Sequence, residues 1–163
     1  MSKIGTIKFG EDINTNGISV SIYFTSCDFN CKNCFNKEFQ DYNYGFDFTK
    51  EIKDNIFRYI DNNIDYIDNL AILGGEPLHI NNIDSVINLC EEFKLKFPDK
   101  KIWLWTGYKF EDIPNKNIIK VVDYIIDGLF VESLKNRDLK YRGSNNQRIF
   151  KNGKLILDSE INM

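Results

Sequence analysis

The chain has 163 residues, with 21 Lys and Arg against 24 Asp and Glu, a formal charge of −3, and 42% hydrophobic content. That is an ordinary globular composition with enough length to bury a core, and without the basic excess that sequence-independent nucleic-acid binding needs. No apolar run approaches the length of a membrane span, and the opening MSKIGTIKFGED lacks a signal-peptide core, so the expectation is one cytoplasmic domain over residues 1–163 with reduced thiols.

No repeat, Ser/Gly linker or low-complexity tail interrupts the chain. The alternating, β-branched and aromatic stretch SVSIYFT (19–25) predicts a strand that ends where a cysteine-bearing loop, residues 26–36, begins. Thr49 or Asp47 is placed to cap a helix through Ile52, Ile56 and Ile60, which recur every four residues. NLAIL (69–73) reads as a short buried strand that stops at Gly74-Gly75-Glu76-Pro77. Asn81 or Asn82 opens a helix with Ile83, Val86, Ile87, Cys90, Phe93 and Phe97 on one face, and Pro98 ends it. KIWLWT (101–106) predicts a third strand, a poor helix or turn follows, and VVDYII (121–126) predicts a fourth. Lys151-Asn152-Gly153-Lys154 has the composition of a hairpin turn within a polar block and hairpin spanning 141–157. Strands alternating with helices imply parallel pairing, and about four or five such units are too few to close an eight-stranded barrel. The expected fold is therefore α/β, an open, partial β/α barrel or a twisted α/β sheet with about four or five parallel strands, and its site just beyond the strand ends.

The chemistry concentrates in SCDFNCKNCFN (26–36), where Cys27, Cys31 and Cys34 are spaced C-x3-C-x2-C. A disulfide framework is disfavoured by the reducing compartment and the odd local count. A structural zinc site needs four ligands and would have to recruit Cys90 or His79. A redox dithiol normally uses two cysteines rather than three. A cubane iron–sulfur cluster normally takes four thiolates, so three would leave one iron open for a substrate or cofactor. Cys90, in step with the apolar face of its helix, reads as core, and the single histidine, His79, reads as an exposed residue opening a helix.

C-x3-C-x2-C after one strand and GGEP after the next resemble the radical S-adenosylmethionine enzymes. The resemblance implies a barrel of that type and a 4Fe–4S cluster whose open iron binds the amino and carboxylate groups of S-adenosylmethionine. One-electron cleavage then yields methionine and a 5′-deoxyadenosyl radical. The commonest form of the motif has an aromatic residue just before the third cysteine, where this chain has Asn33 and places Phe35 after it. Cys34-Phe35-Asn36 is similar instead to the activases of anaerobic ribonucleotide reductase, as are Thr106-Gly107-Tyr108, DYIIDGLF (123–130) and YRGSNNQR (141–148).

By that resemblance Cys27, Cys31 and Cys34 ligate the cluster. The cofactor lies against Gly74, Gly75, Glu76 and Pro77, against Thr106, and against backbone around Asn33, Cys34 and Phe35. The implied partners are the glycyl-radical subunit of the reductase, which loses a hydrogen atom from a backbone glycine, and a flavodoxin or ferredoxin as electron donor. A pyruvate formate-lyase-type activase or a small-molecule radical enzyme is the alternative within the superfamily, and a non-catalytic zinc-binding interaction module the alternative outside it. The Gly pair would let a ligand approach the backbone. Arg142, Asn146 and Arg148 are open between partner binding, cofactor binding and satisfying buried carbonyls.

Overall fold

The structure, a computed structural model, describes residues 1–12 and 14–161. Its strands are β1 (Lys3–Glu11), β2 (Ser19–Phe24), β3 (Phe46–Asp47), β4 (Asn69–Gly74), β5 (Lys101–Trp105), β6 (Tyr124–Asp127), β7 (Arg148–Lys151) and β8 (Lys154–Ile156). The helices among the described residues are α1 (Lys50–Asn62), α2 (Ile83–Lys96) and the short α3 (Asn117–Val121). All eight strands join one sheet in the order β3-β1-β2-β4-β5-β6-β7-β8.

This arrangement overturns the expected open, partial β/α barrel of four or five parallel strands. Parallel pairing is confined to β2–β4, β4–β5 and β5–β6, whereas the four pairings outside that run are antiparallel. The physical reason lies at the two flanks. Where a further β/α unit would dock, β1 already occupies the free edge of β2, and β7 with β8 occupies that of β6. An edge whose N–H and C=O groups are paired cannot propagate a barrel. The β1 strand also escaped the periodicity reading. Its sequence KIGTIKFGE contains two glycines and only one buried residue, Ile4, so alternation carries little signal. Residues 121–126 divide for a similar reason: Val121 closes α3, and the strand starts only at Tyr124.

Elsewhere the local chemistry accounts for the elements. Thr49 Oγ1 accepts the N–H of Ile52 at 3.3 Å, a cap that starts α1 and lets it bury Ile56, Phe57 and Ile60. Both β2 and β4 are almost wholly buried, and β4 accordingly reads as a continuous apolar run. Alternate side chains sort into two layers. Ile22, Phe24, Leu70, Ile72, Ile102 and Leu104 pack with α1 and α2, while Tyr23, Ala71, Leu73, Trp103 and Trp105 face the other way. That second face, at the ends of β2, β4, β5 and β6, carries the site. Among the described residues no helix is long and apolar enough to cross a membrane.

Candidate metal and cofactor site

The four parallel strands finish at one edge, and the loops leaving them surround a cavity of ≈ 590 Å³. Tyr23, Leu73 and Trp105, from the sheet face turned away from α1 and α2, form its floor. Cys27, Cys31 and Cys34 all line it, all half-buried and none in a disulfide. Their loop folds through backbone turns rather than regular structure: Cys27 N–H reaches the Gln40 carbonyl at 3.1 Å and Cys34 N–H the Cys31 carbonyl at 3.2 Å. Ser26, Asn30 and Asn33 hold positive φ (80°, 51° and 55°), conformations that Asn tolerates better than most residues.

Burial, then proximity to Glu76 and the other two thiols, pushes Cys27 up to about 11; burial and the neighbouring Cys34 push Cys31 up. No cationic side chain lowers either one, so these are not activated redox thiolates. Protons leave such a set when a metal takes their place. Among the described residues no three His, Cys, Asp or Glu side chains converge on a single ion. A cubane distributes its thiolates over separate irons and does not need that convergence. The fourth donor that zinc would require is committed elsewhere. Cys90 is fully buried in α2 against the core, as its helical phase predicts, and both ring nitrogens of His79 are hydrogen-bonded. The donor set therefore fits a three-thiolate iron–sulfur cluster.

Of the other residues singled out in the sequence, Phe35, Gly74, Gly75, Glu76 and Thr106 line the same cavity, and Asn33 and Pro77 do not. The glycines prove to be required by the protein's own backbone. A Cβ on Gly74 (φ +121°) would run into the backbone of Phe24, and one on Gly75 into the carbonyl oxygens of Phe39 and Ser26. Loops and strand ends approach here too closely for any side chain. Asn36, the last residue of C-F-N, donates its amide to the Gly74 carbonyl at 3.3 Å, joining the cysteine loop to β4.

Glu76 is buried and accepts three hydrogen bonds, from Leu78 N–H at 2.9 Å, Thr106 Oγ1 at 2.7 Å and Gly107 N–H at 2.7 Å. Burial outweighs these donors and pushes its carboxyl up to about 7. Its side chain is thus the brace between the loops after β4 and β5, which joins GGEP to Thr106-Gly107-Tyr108 as one unit.

Several cavity residues lie outside every motif read from the sequence, among them Asn14, Lys135 and Leu139, whereas Phe29, Phe130 and Tyr141 come from the cysteine loop, the D-G-x-F segment and the polar block. The polar block 141–148 now has a structural role. Asn146 donates to the Leu129 carbonyl at 2.7 Å and Gln147 to the Gly128 carbonyl at 3.0 Å. Gln147 Oε1 accepts the N–H groups of Gly143 and Ser144, and Arg148 pairs with Asp127 and Glu111. The block therefore satisfies backbone at the end of β6, where the D-G-x-F segment also lies. His79, expected at the surface, is buried instead.

Comparison with known proteins agrees with this construction. Residues 13–150 match the family described as a 4Fe-4S single cluster domain. The chain is 38% identical over 140 residues to the anaerobic ribonucleoside-triphosphate reductase-activating protein of Enterobacteria phage T4, covering 86% of this chain and 88% of the relative. It is 31% identical over 137 residues to that of Escherichia coli (83% and 89%) and 30% identical over 139 residues to that of Vibrio cholerae (84% and 90%). The site is thus of the single-cluster iron–sulfur class. Within that class, the chain belongs to the family of anaerobic ribonucleoside-triphosphate reductase-activating proteins.

Proposed function

We propose that this protein activates anaerobic ribonucleoside-triphosphate reductase as a radical S-adenosylmethionine enzyme. The observation that carries the reading is the gathering of three free cysteines, the Gly74–Glu76 segment and Thr106 around one cavity in a member of this family. Cys27, Cys31 and Cys34 would hold the cluster through three thiolates, which would leave one iron free to take the cofactor's amino and carboxylate groups. A reduced cluster held there would supply the electron for reductive cleavage of S-adenosylmethionine, the chemistry that would take a hydrogen atom from a backbone glycine of the reductase.

The chain's own residues arrange and enclose that chemistry. Cys34, Phe35, Gly74, Gly75 and Thr106 present the surfaces against which the cofactor rests. Asn33 and Pro77 act one step back, shaping the loops that carry Cys34 and Glu76. Glu76 keeps two of those loops in register through its three hydrogen bonds. Trp105, whose indole donates to the Tyr141 carbonyl at 2.7 Å, and Tyr23 form an apolar floor with Leu73 that limits water around the reacting centre. A flavodoxin or ferredoxin is the proposed electron donor and the cytoplasm the proposed compartment; no nucleic acid takes part.

The test is anaerobic reconstitution with iron and sulfide, followed by dithionite and S-adenosylmethionine, with and without the reductase. The expected results are a brown protein, 5′-deoxyadenosine, and a glycyl radical seen by electron spin resonance only when the reductase is present. Deoxyadenosine without that radical would transfer the assignment to another substrate, and a colourless protein holding one zinc would overturn the cluster.

A further inference from the structure

We infer that His79 is a positioning residue for the cysteine loop, acting through Asp28. The inference rests on the reading that Cys27, Cys31 and Cys34 hold the cluster. The geometry is specific. Asn81 N–H donates to His79 Nδ1 at 3.1 Å, so the neutral ring carries its proton on Nε2 and donates it to Asp28 Oδ2 at 3.0 Å. Asp28 lies between Cys27 and Cys31, and its side chain is 86% exposed while that of His79 is 11% exposed. An exposed carboxylate on an irregular loop is thereby tied to a ring held in the protein.

The neighbours of His79 grip the same loop. Asn82 is fully buried at the start of α2, yet its side chain makes no capping bond. Instead it donates to the Thr25 carbonyl at 2.6 Å and the Glu76 carbonyl at 3.0 Å. Asn81 donates its side-chain amide to Ser26 Oγ at 3.4 Å, and Glu76 N–H reaches the Ser26 carbonyl at 2.7 Å. Thr25, Ser26 and Asp28 are therefore held in succession from one segment, residues 76–82. His79 supplies the outermost contact, the only one of these that lies between two cysteines. Groups that orient metal ligands without touching the metal govern how long the metal stays, typically by about 10- to 100-fold.

The experiment compares the reconstituted full chain with Asp28→Ala, His79→Ala, the double variant and His79→Gln. It measures the rate of iron loss to a chelator and the spin-resonance signal of the reduced cluster, with apo-protein unfolding as a control. Asp28→Ala alters an exposed side chain, so it tests the contact even where His79→Ala fails to fold. The expected result is iron loss about 10-fold faster in Asp28→Ala, no further acceleration in the double variant, and restored retention in His79→Gln, whose amide can still donate. Wild-type iron loss and signal in Asp28→Ala, or additive effects in the double variant, would overturn the inference. Failure of the wild-type chain to hold any cluster would instead overturn the reading beneath it.

Discussion

The loops after β2 and β4 leave adjacent parallel strands at the same edge, yet they are built in opposite ways. The first carries every cysteine of the site, three non-glycine residues at positive φ, and an exposed Phe35. Its only regular piece is a four-residue 3-10 turn at Lys37–Gln40. The second is short and exposed only at Ile80 and Asn81, with Glu76 and Asn82 almost fully enclosed and hydrogen-bonded in several directions. The difference separates donating ligands from holding them. A loop able to wrap a bulky inorganic group has little internal packing of its own, so its geometry is supplied by its neighbour.

The strongest way to break this comparison is to remove a donor. Replacing Cys27, Cys31 or Cys34 with Ala should abolish cluster content while shifting apo-protein unfolding by no more than about 0.5 kcal/mol, because these half-buried side chains hold little of the fold. Iron and sulfide assays alongside denaturant unfolding check both halves. A large loss of apo stability would show that the cysteine loop holds itself.

The opposite pattern is expected on the other loop. Glu76→Gln turns an acceptor facing the Gly107 N–H into a second donor and should cost about 1–3 kcal/mol. The same residue gives wild type a pH dependence of known sign. Its folded carboxyl, at about 7, lies above the ordinary value of 4.5, so the folded state binds the proton more tightly. Stability from this group is fully present below about 4.5 and is lost as pH rises to about 7, a change on the order of 3 kcal/mol. Subtracting the Glu76→Gln profile from wild type across that window should isolate the slope, and a flat difference would show that Glu76 is ionised throughout.

The smallest effect is expected at Cys90→Ala. The lost sulfur leaves a small core void worth about 1 kcal/mol, and cluster content should not change. Cluster loss there would mean that the fourth thiol, and not only the loop, supplies a ligand.

Legibility followed the range of the interactions. The cysteine spacing and the helical phase of Cys90 are each set by residues close along the chain, and their chemistry could be read directly, as could the strand end at Gly74-Gly75 though not what the glycines make room for. His79 was misread because its partner Asp28 lies 51 positions away and nothing local announces the pairing. No local pattern shows what Asn36, Asn146 and Gln147 bind, because their targets are the carbonyls of Gly74, Leu129 and Gly128, 38, 17 and 19 positions away. The β1 flank was missed for the same reason, since β1 pairs with β2 through a glycine-interrupted strand of weak alternation, whereas the β7–β8 hairpin at the other flank was legible in Asn152-Gly153.

By itself, then, the amino-acid order determined which atoms could meet iron and which segments end at strand termini, because ligand spacing and apolar period are properties of neighbours along the chain. The tertiary structure alone decided how β1 and the β7–β8 hairpin bound the parallel strands, what Gly74 and Gly75 make room for, and which residues grip the cysteine loop. Those outcomes depend on hydrogen bonds and steric contacts between segments tens of residues apart, which form only when the parallel strands bring their ends to one edge.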